Sequence, residues 1–287
     1  MPVKSYTMKY FVLACLFATP LLGEDAASIV RRSVERDRVN FERARDYTFL
    51  ERTAVREYDG RGRLKKSASE TFDVLMLGGR PYKRLTAKDD RPLTPAEAAK
   101  AEATFEKEMR KRQTETEKQR AAQAAKEEKQ RREARAFLTE IPQAFEFRMA
   151  GEEEVDGLPV WVIDAEPRAG FKSKVKRGNL LSKFRGRIWI AQGDLQWVRV
   201  EAETIDTVSF GLFLARLGPG ARLSFEQRRV NDEVWLPSRA TTRLDARVAL
   251  LRRFNAEVDV EWKQYRKFQT DSRVVEASEL TAEPEFQ

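Results

Sequence analysis

The stretch FRGRIWIAQGDLQWVRVEAETIDT (184–207), continued by VSFGLFLARLGPGARLSFEQRRV (208–230) and NDEVWLPSRATTRLDARVALLRRFNAEVDVEWKQYRKF (231–268), decides the fold. Large apolar residues alternate with charged ones along it, the period of a β-strand with one buried face. Gln192-Gly193-Asp194, Gly218-Pro219-Gly220 and Asn231-Asp232 interrupt the runs at hairpin spacing. The stretch therefore reads as an antiparallel meander. Val198, Val200 and Ala202 fall on one face, as do Leu223 with Phe225, Leu244 with Ala246, and Val258, Val260 and Trp262 together. Arg199, Glu201, Glu203, Arg243, Glu257, Asp259 and Glu261 take the other face. One apolar and one wet face mark a one-sided antiparallel sheet.

Upstream, EDAASIVRRSVERDRVNFERAR (24–45) has helical spacing, with Ile29, Val30, Val34 and Phe41 on one side. Strands are expected at 47–58, 69–77 and 81–87, turned by Asp59-Gly60-Arg61-Gly62 and by Gly78-Gly79. Thr94-Pro95-Ala96-Glu97 then opens a helix with a cap, a proline at the first position and an acid three residues on. Ala, Glu, Lys, Arg and Gln dominate to Ala136 without Gly or Pro, and Glu106–Arg110, Glu108–Arg112, Glu127–Arg131 and Glu128–Arg132 sit at i,i+4 spacing. Phe105 and Met109 are the exceptions to its small or polar make-up. This insertion at about 94–141 is a solvated arm, a bent helical hairpin or a weak coiled-coil contact. Phe137, Leu138, Ile141 and Phe145 form an apolar stripe that docks its end on the body. Strands resume at 145–150 and 158–166, and RAGFKSKVKR (168–177) is a basic loop. Nearly a dozen strands result, and a sheet that broad must twist and curl. The fold class is α+β, predominantly antiparallel β.

The chain's ends suggest export. Lys4 and Lys9 precede an uncharged run, Tyr10 to Gly23, and Glu24-Asp25 follow at once. That layout resembles a secretory signal, cleaved after Gly23, with an uncleaved anchor or lipidation at Cys15 as the alternatives. The reading divides the chain into a signal at 1–23, one β domain at 24–268 carrying the insertion, and a polar tail at 269–287. Loss of Lys4 and Lys9 would take the net charge from +8 to +6. In an exported protein that excess points away from nucleic acid and toward anionic membrane or envelope polymer. There is no histidine and one cysteine, Cys15. Disulfides, thiolate nucleophiles, Cys/His metal sites and histidine acid–base catalysis are thereby excluded. Neither GxxxxGK[ST] nor GxGxxG occurs, and Ser173-Lys174 lacks a nucleophile-elbow context. No enzyme activity, metal or cofactor is expected.

Several short motifs carry a family resemblance: Val160-Trp161-Val162-Ile163 after a Val-Asp-Gly turn, Ile188-Trp189-Ile190-Ala191 running into Asp194-Leu195-Gln196-Trp197-Val198-Arg199-Val200, and Glu233-Val234-Trp235-Leu236-Pro237-Ser238. With the exported N-terminal helix and the meander, they resemble the outer-membrane lipoprotein-sorting, LolA-like family of periplasmic proteins. The resemblance covers about 24–268 apart from the insertion. It implies a curved, incomplete β-barrel whose concave side is plugged by helices and holds acyl chains or other lipids.

Two functions follow. One is a periplasmic or secreted protein binding or carrying an acyl chain, lipid or lipoprotein. Its ligand would line Val198, Val200, Leu223, Phe225, Leu244, Val258, Val260 and Trp262, and a flexible loop of Phe171, Lys172, Lys174, Lys176 and Arg177 would stand at the cavity mouth. The other is a non-enzymatic envelope interaction module that docks a partner protein through the 94–141 arm.

Overall fold

The computed structural model describes residues 25–175, 177–210, 215–248 and 252–267. The expected signal, Cys15 and the tail lie outside these residues. Helix α1 (Ala26–Arg43) begins where Asp25 accepts the amide of Ser28 at 3.1 Å. Strands β1 (Tyr47–Tyr58), β2 (Leu64–Leu77), β3 (Arg80–Lys88) and the two-residue β4 (Arg91–Pro92) follow. Helices α2 (Pro95–Gln113), α3 (Glu117–Thr139) and α4 (Ile141–Ala144) come next. The remainder is β5 (Phe145–Val155), β6 (Leu158–Pro167), β7 (Phe184–Ala191), β8 (Trp197–Thr204), β9 (Val208–Phe210), β10 (Ala215–Leu217), β11 (Arg222–Val230), β12 (Val234–Val248) and β13 (Arg252–Lys267).

All strands pair antiparallel in one sheet, in the order β4-β3-β2-β1-β13-β12-β11-β8-β7-β6-β5, with β10 on β12 and β9 on β10. Strands β4 and β5 end the order and do not pair with each other, so the sheet stays open. Its two blocks, residues 47–92 and 145–267, meet where β1 pairs with β13. This is the incomplete-barrel layout, with an N-terminal helix, that the lipoprotein-sorting resemblance implies.

Helix α1 crosses one face of the sheet, here called the helix face. Ile29 and Val30 are fully buried against Ile163, Ala165, Ile188 and Ile190, together with Ile141, Ala144 and Phe145. Halfway along, buried Ser33 accepts the indole N–H of Trp197 at 2.7 Å. At the far end Asn40 pairs with both backbone groups of Trp235. Its Oδ1 accepts the Trp235 amide at 2.6 Å and its Nδ2 donates to the Trp235 carbonyl at 2.8 Å. One turn of helix beyond, Tyr47, Val234 and Leu236 form a second buried group. The helix thus reaches from β5 to β12.

The charged insertion is two helices, not one. Thr94 and Glu97 make a capping box at the start of α2, and Thr116 and Gln119 make another at the start of α3. The break at Thr114–Thr116 settles the alternatives in favour of a bent pair. No residue of either helix is fully buried. Helix α2 lies on β3 through polar contacts: Arg80–Glu115 at 2.6 Å, Arg84–Glu102 at 2.5 Å and Lys88–Glu97 at 3.0 Å. Arg112 adds bonds to the carbonyls of Leu77 and Arg80, and Phe105 packs on Tyr82 at 5.5 Å. At its other end α3 packs Phe137 and Leu138 on the core beneath α1. Burial pushes the carboxyl of Asp37, on α1, above its ordinary range, and Arg135 of α3 opposes that shift. The insertion therefore ties the β3–β4 edge of the sheet to the β5 edge.

The position of α1 depends on its buried stripe. Ile29→Ala should cost about 2–5 kcal/mol, whereas Val39→Ala, at a side chain 45% exposed, should stay within about 0.5 kcal/mol. Urea unfolding of the two variants measures both; equal losses would show that the helix is not held by this stripe.

Candidate functional site

Residues directly opposite in an antiparallel ladder project from the same face. Phe225 pairs with Val200 and Ala240, and Ala240 pairs with Val260. Leu223 pairs with Ala202 and Thr242, and Thr242 pairs with Val258. Leu244 pairs with Ala256. On β1, Thr53 and Val55 stand opposite Val260 and Val258, and Glu51 stands opposite both Trp262 and Phe72. A continuous apolar band therefore runs over β8, β11, β12, β13, β1 and β2 on the helix face. Seven of the eight residues expected to line a ligand share it: Val200, Leu223, Phe225, Leu244, Val258, Val260 and Trp262.

Val198 does not. The ladder between β7 and β8 slips by one residue, so that Trp189 pairs with Arg199 but Ile190 pairs with Trp197. The slip turns Val198 to the outer face, where it is buried with Val160, Val162, Trp189 and Trp235. Simple alternation has no means of seeing this bulge.

The band has two parts. Val200 packs against the core under α1. Leu223, Phe225, Leu244, Val258, Val260 and Trp262 enter none of the buried clusters formed among the described residues, and Leu223 is 39% exposed. At the β1 end the band meets a polar anchor. Glu51 accepts the Trp262 indole N–H at 3.3 Å and pairs with Lys83 at 2.5 Å, with its own side chain only 12% exposed. Sequence reading missed Glu51 and Phe72. The alternation of 47–58 was visible, but its register against 252–267 was not.

The basic loop is held rather than free. Glu140, between α3 and α4, accepts the hydroxyl of Ser173 and the amide of Lys174, the latter at 3.0 Å. Asn179 accepts the Ser173 amide at 2.8 Å. Gly178 makes the approach feasible, because a side chain there would meet Ser173 Oγ and Glu140 Oε2. Phe171 packs on the core under α1, so it fills the fold instead of standing at a mouth. Lys172, Lys174 and Arg177 are exposed, with Arg177 in a left-handed conformation at φ 65°. Lys176 lies outside the described residues. The expectation of a flexible loop is corrected: a carboxylate at the insertion's end pins it.

No family model matches the chain, and no curated protein does. Among solved structures, a DUF1329 family protein from Desulfovibrio piger is similar at 11% identity with a TM-score of 0.34, over 87% of this chain and 95% of that one. A LolA superfamily protein from Nitrosomonas europaea gives 9% and 0.33, over 86% and 94%. The MucA/MucB complex structure of Pseudomonas aeruginosa gives 10% and 0.25, over 86% and 100%. The architecture rests on the strand pairing described above.

Removing the pin should free the loop. In Glu140→Ala, trypsin is expected to cut at Lys172, Lys174 or Arg177 at least several-fold faster than in the parent protein. Equal cutting rates would show that Glu140 does not restrain this segment.

Proposed function

We propose that this is an exported, non-enzymatic protein that binds an acyl chain or lipid on the part of its helix face that α1 does not cover. The observation that carries the reading is the split of the apolar band. Among the described residues α1 fills the face over Ile163, Ile188 and Val200, while Leu223, Phe225, Leu244, Val258, Val260 and Trp262 stay outside the buried clusters. Apolar area left in water is a driving force for a ligand, about 0.8 kcal/mol for each methylene buried. Glu51 and Lys83 set a charged boundary at the β1 end, suited to a ligand with a polar head and an apolar body.

The reading in which the insertion is a free docking arm for an envelope protein has less support. Both ends of the insertion are tied to the body, one by ion pairs to β3 and the other by Phe137 and Leu138. Export itself rests on the N-terminal sequence, and a peripheral contact with anionic membrane on the net charge.

Solvent-extracted protein should bind a fluorescent fatty acid, and the indole emission of Trp262 should respond. Val260→Asp, which places a charge mid-band, should weaken binding by about tenfold or more. Absence of binding, together with absence of any co-purifying lipid in native mass spectrometry, would sink the proposal.

A further inference from the structure

The face opposite α1 carries charge in transverse rows, one residue from each strand. In one row Arg199, Glu226, Arg239, Glu261 and Arg52 stand opposite one another in turn, alternating in sign at every step. The next but one row reads Arg185, Glu203, Arg222, Arg243, Glu257, Arg56. It alternates too, except at one place: Arg222 stands directly opposite Arg243. Like charges directly opposite on neighbouring strands are unfavourable. In the row between them the same two strands present two hydroxyls, Ser224 opposite Glu201 and Thr241 opposite Asp259, and Asp259 is held by Arg239 at 2.8 Å. Within the two rows of alternating charge the sign repeats at a single point, from Arg222 to Arg243.

That point lies in a trough of about 710 Å³ lined by Arg222, Arg243, Ser224 and Thr241, with acids around it. Three of the five acids are already paired. Glu257 pairs with Arg243 at 2.7 Å and Arg56 at 2.5 Å, Glu203 pairs with Arg185 at 3.3 Å, and Asp164 pairs with Arg148 and Arg187. Glu201 stands opposite Arg187. Glu166 is on β6, three strand spacings or about 14 Å from Arg222. Arg222 itself has no ion partner among the described residues.

We infer that Arg222, Arg243, Ser224 and Thr241 form a binding site for a phosphate-type oxyanion on the outer face of the sheet. Two guanidinium groups and two hydroxyls offer donors to several oxygens of one tetrahedral anion. The bound anion restores the sign alternation and screens Arg222 from Arg243. The site is separate from the apolar band, which occupies the other face.

The test compares the parent protein with Arg222→Glu, a change that reverses the charge at the site and breaks no side-chain bond Arg222 makes among the described residues. Inorganic phosphate, added against chloride at fixed ionic strength, should raise the unfolding midpoint of the parent. Arg222→Glu should respond to phosphate at least tenfold more weakly. Arg222→Gln, which removes charge without replacing it, should lose the phosphate response and serves if the glutamate variant fails to fold. A phosphate response equal in parent and variants, or none in the parent, overturns the site. Flotation with phosphatidylglycerol vesicles against a titration with soluble glycerol phosphate separates the sources. Vesicle binding lost in Arg222→Glu assigns the anion to a lipid head group, and a response to the soluble probe alone assigns it to a free phosphate; either upholds the site.

Discussion

One helix is too short to cover this sheet. Helix α1 has 18 residues and is about 27 Å long. It crosses the six strands from β5 to β12, five spacings or about 24 Å, and there it stops. The strand order continues through β13, β1, β2, β3 and β4 without that helix. Part of the opening on the helix face follows from this mismatch, and the rest from position along the strands, since Leu223, Phe225 and Leu244 lie on β11 and β12 away from the Trp235 end that α1 reaches. Where α1 lies, Ile29 and Val30 complete a conventional core. Where it does not, Val258, Val260 and Trp262 remain partly open.

The second consequence of an open sheet is a long connection. Strand β4 ends one side of the order and β5 the other, yet they are neighbours in the chain. The insertion has to travel between them. It does so over water, and its composition answers that need: ion pairs and capping boxes in place of a buried stripe. Its residues look like a solvated arm because they are solvated, but they belong to a tie.

Much of this was legible in the chain. Alternation in 184–268 placed seven of the eight lining residues on their common face, because a period of two survives wherever the ladder is regular. It failed at Val198, where a bulge between Trp189 and Ile190 adds a residue to one strand only. The break between α2 and α3 had a signal too, Thr116 followed by Gln119, yet no glycine or proline marks it. Strand order was not legible. That β1 pairs with β13 and β8 with β11 depends on contacts far apart in sequence, which local pattern does not encode. The fault in the outer charge rows was hidden for the same reason, since Arg222 and Arg243 look unremarkable until their strands are laid side by side.

The pairing of β1 with β13 has a topological consequence. The sheet consists of two contiguous blocks of sequence, and the covalent link between them runs only through the insertion. A backbone cut between α2 and α3 would leave an amino-terminal fragment bearing α1, β1 to β4 and α2, and a carboxy-terminal fragment bearing the rest. The first fragment would still grip the second twice, through the β1–β13 ladder and through α1 lying across β5 to β12. In its non-covalent architecture the protein is thus a heterodimer of its own two halves, fused by a helical tether into one chain.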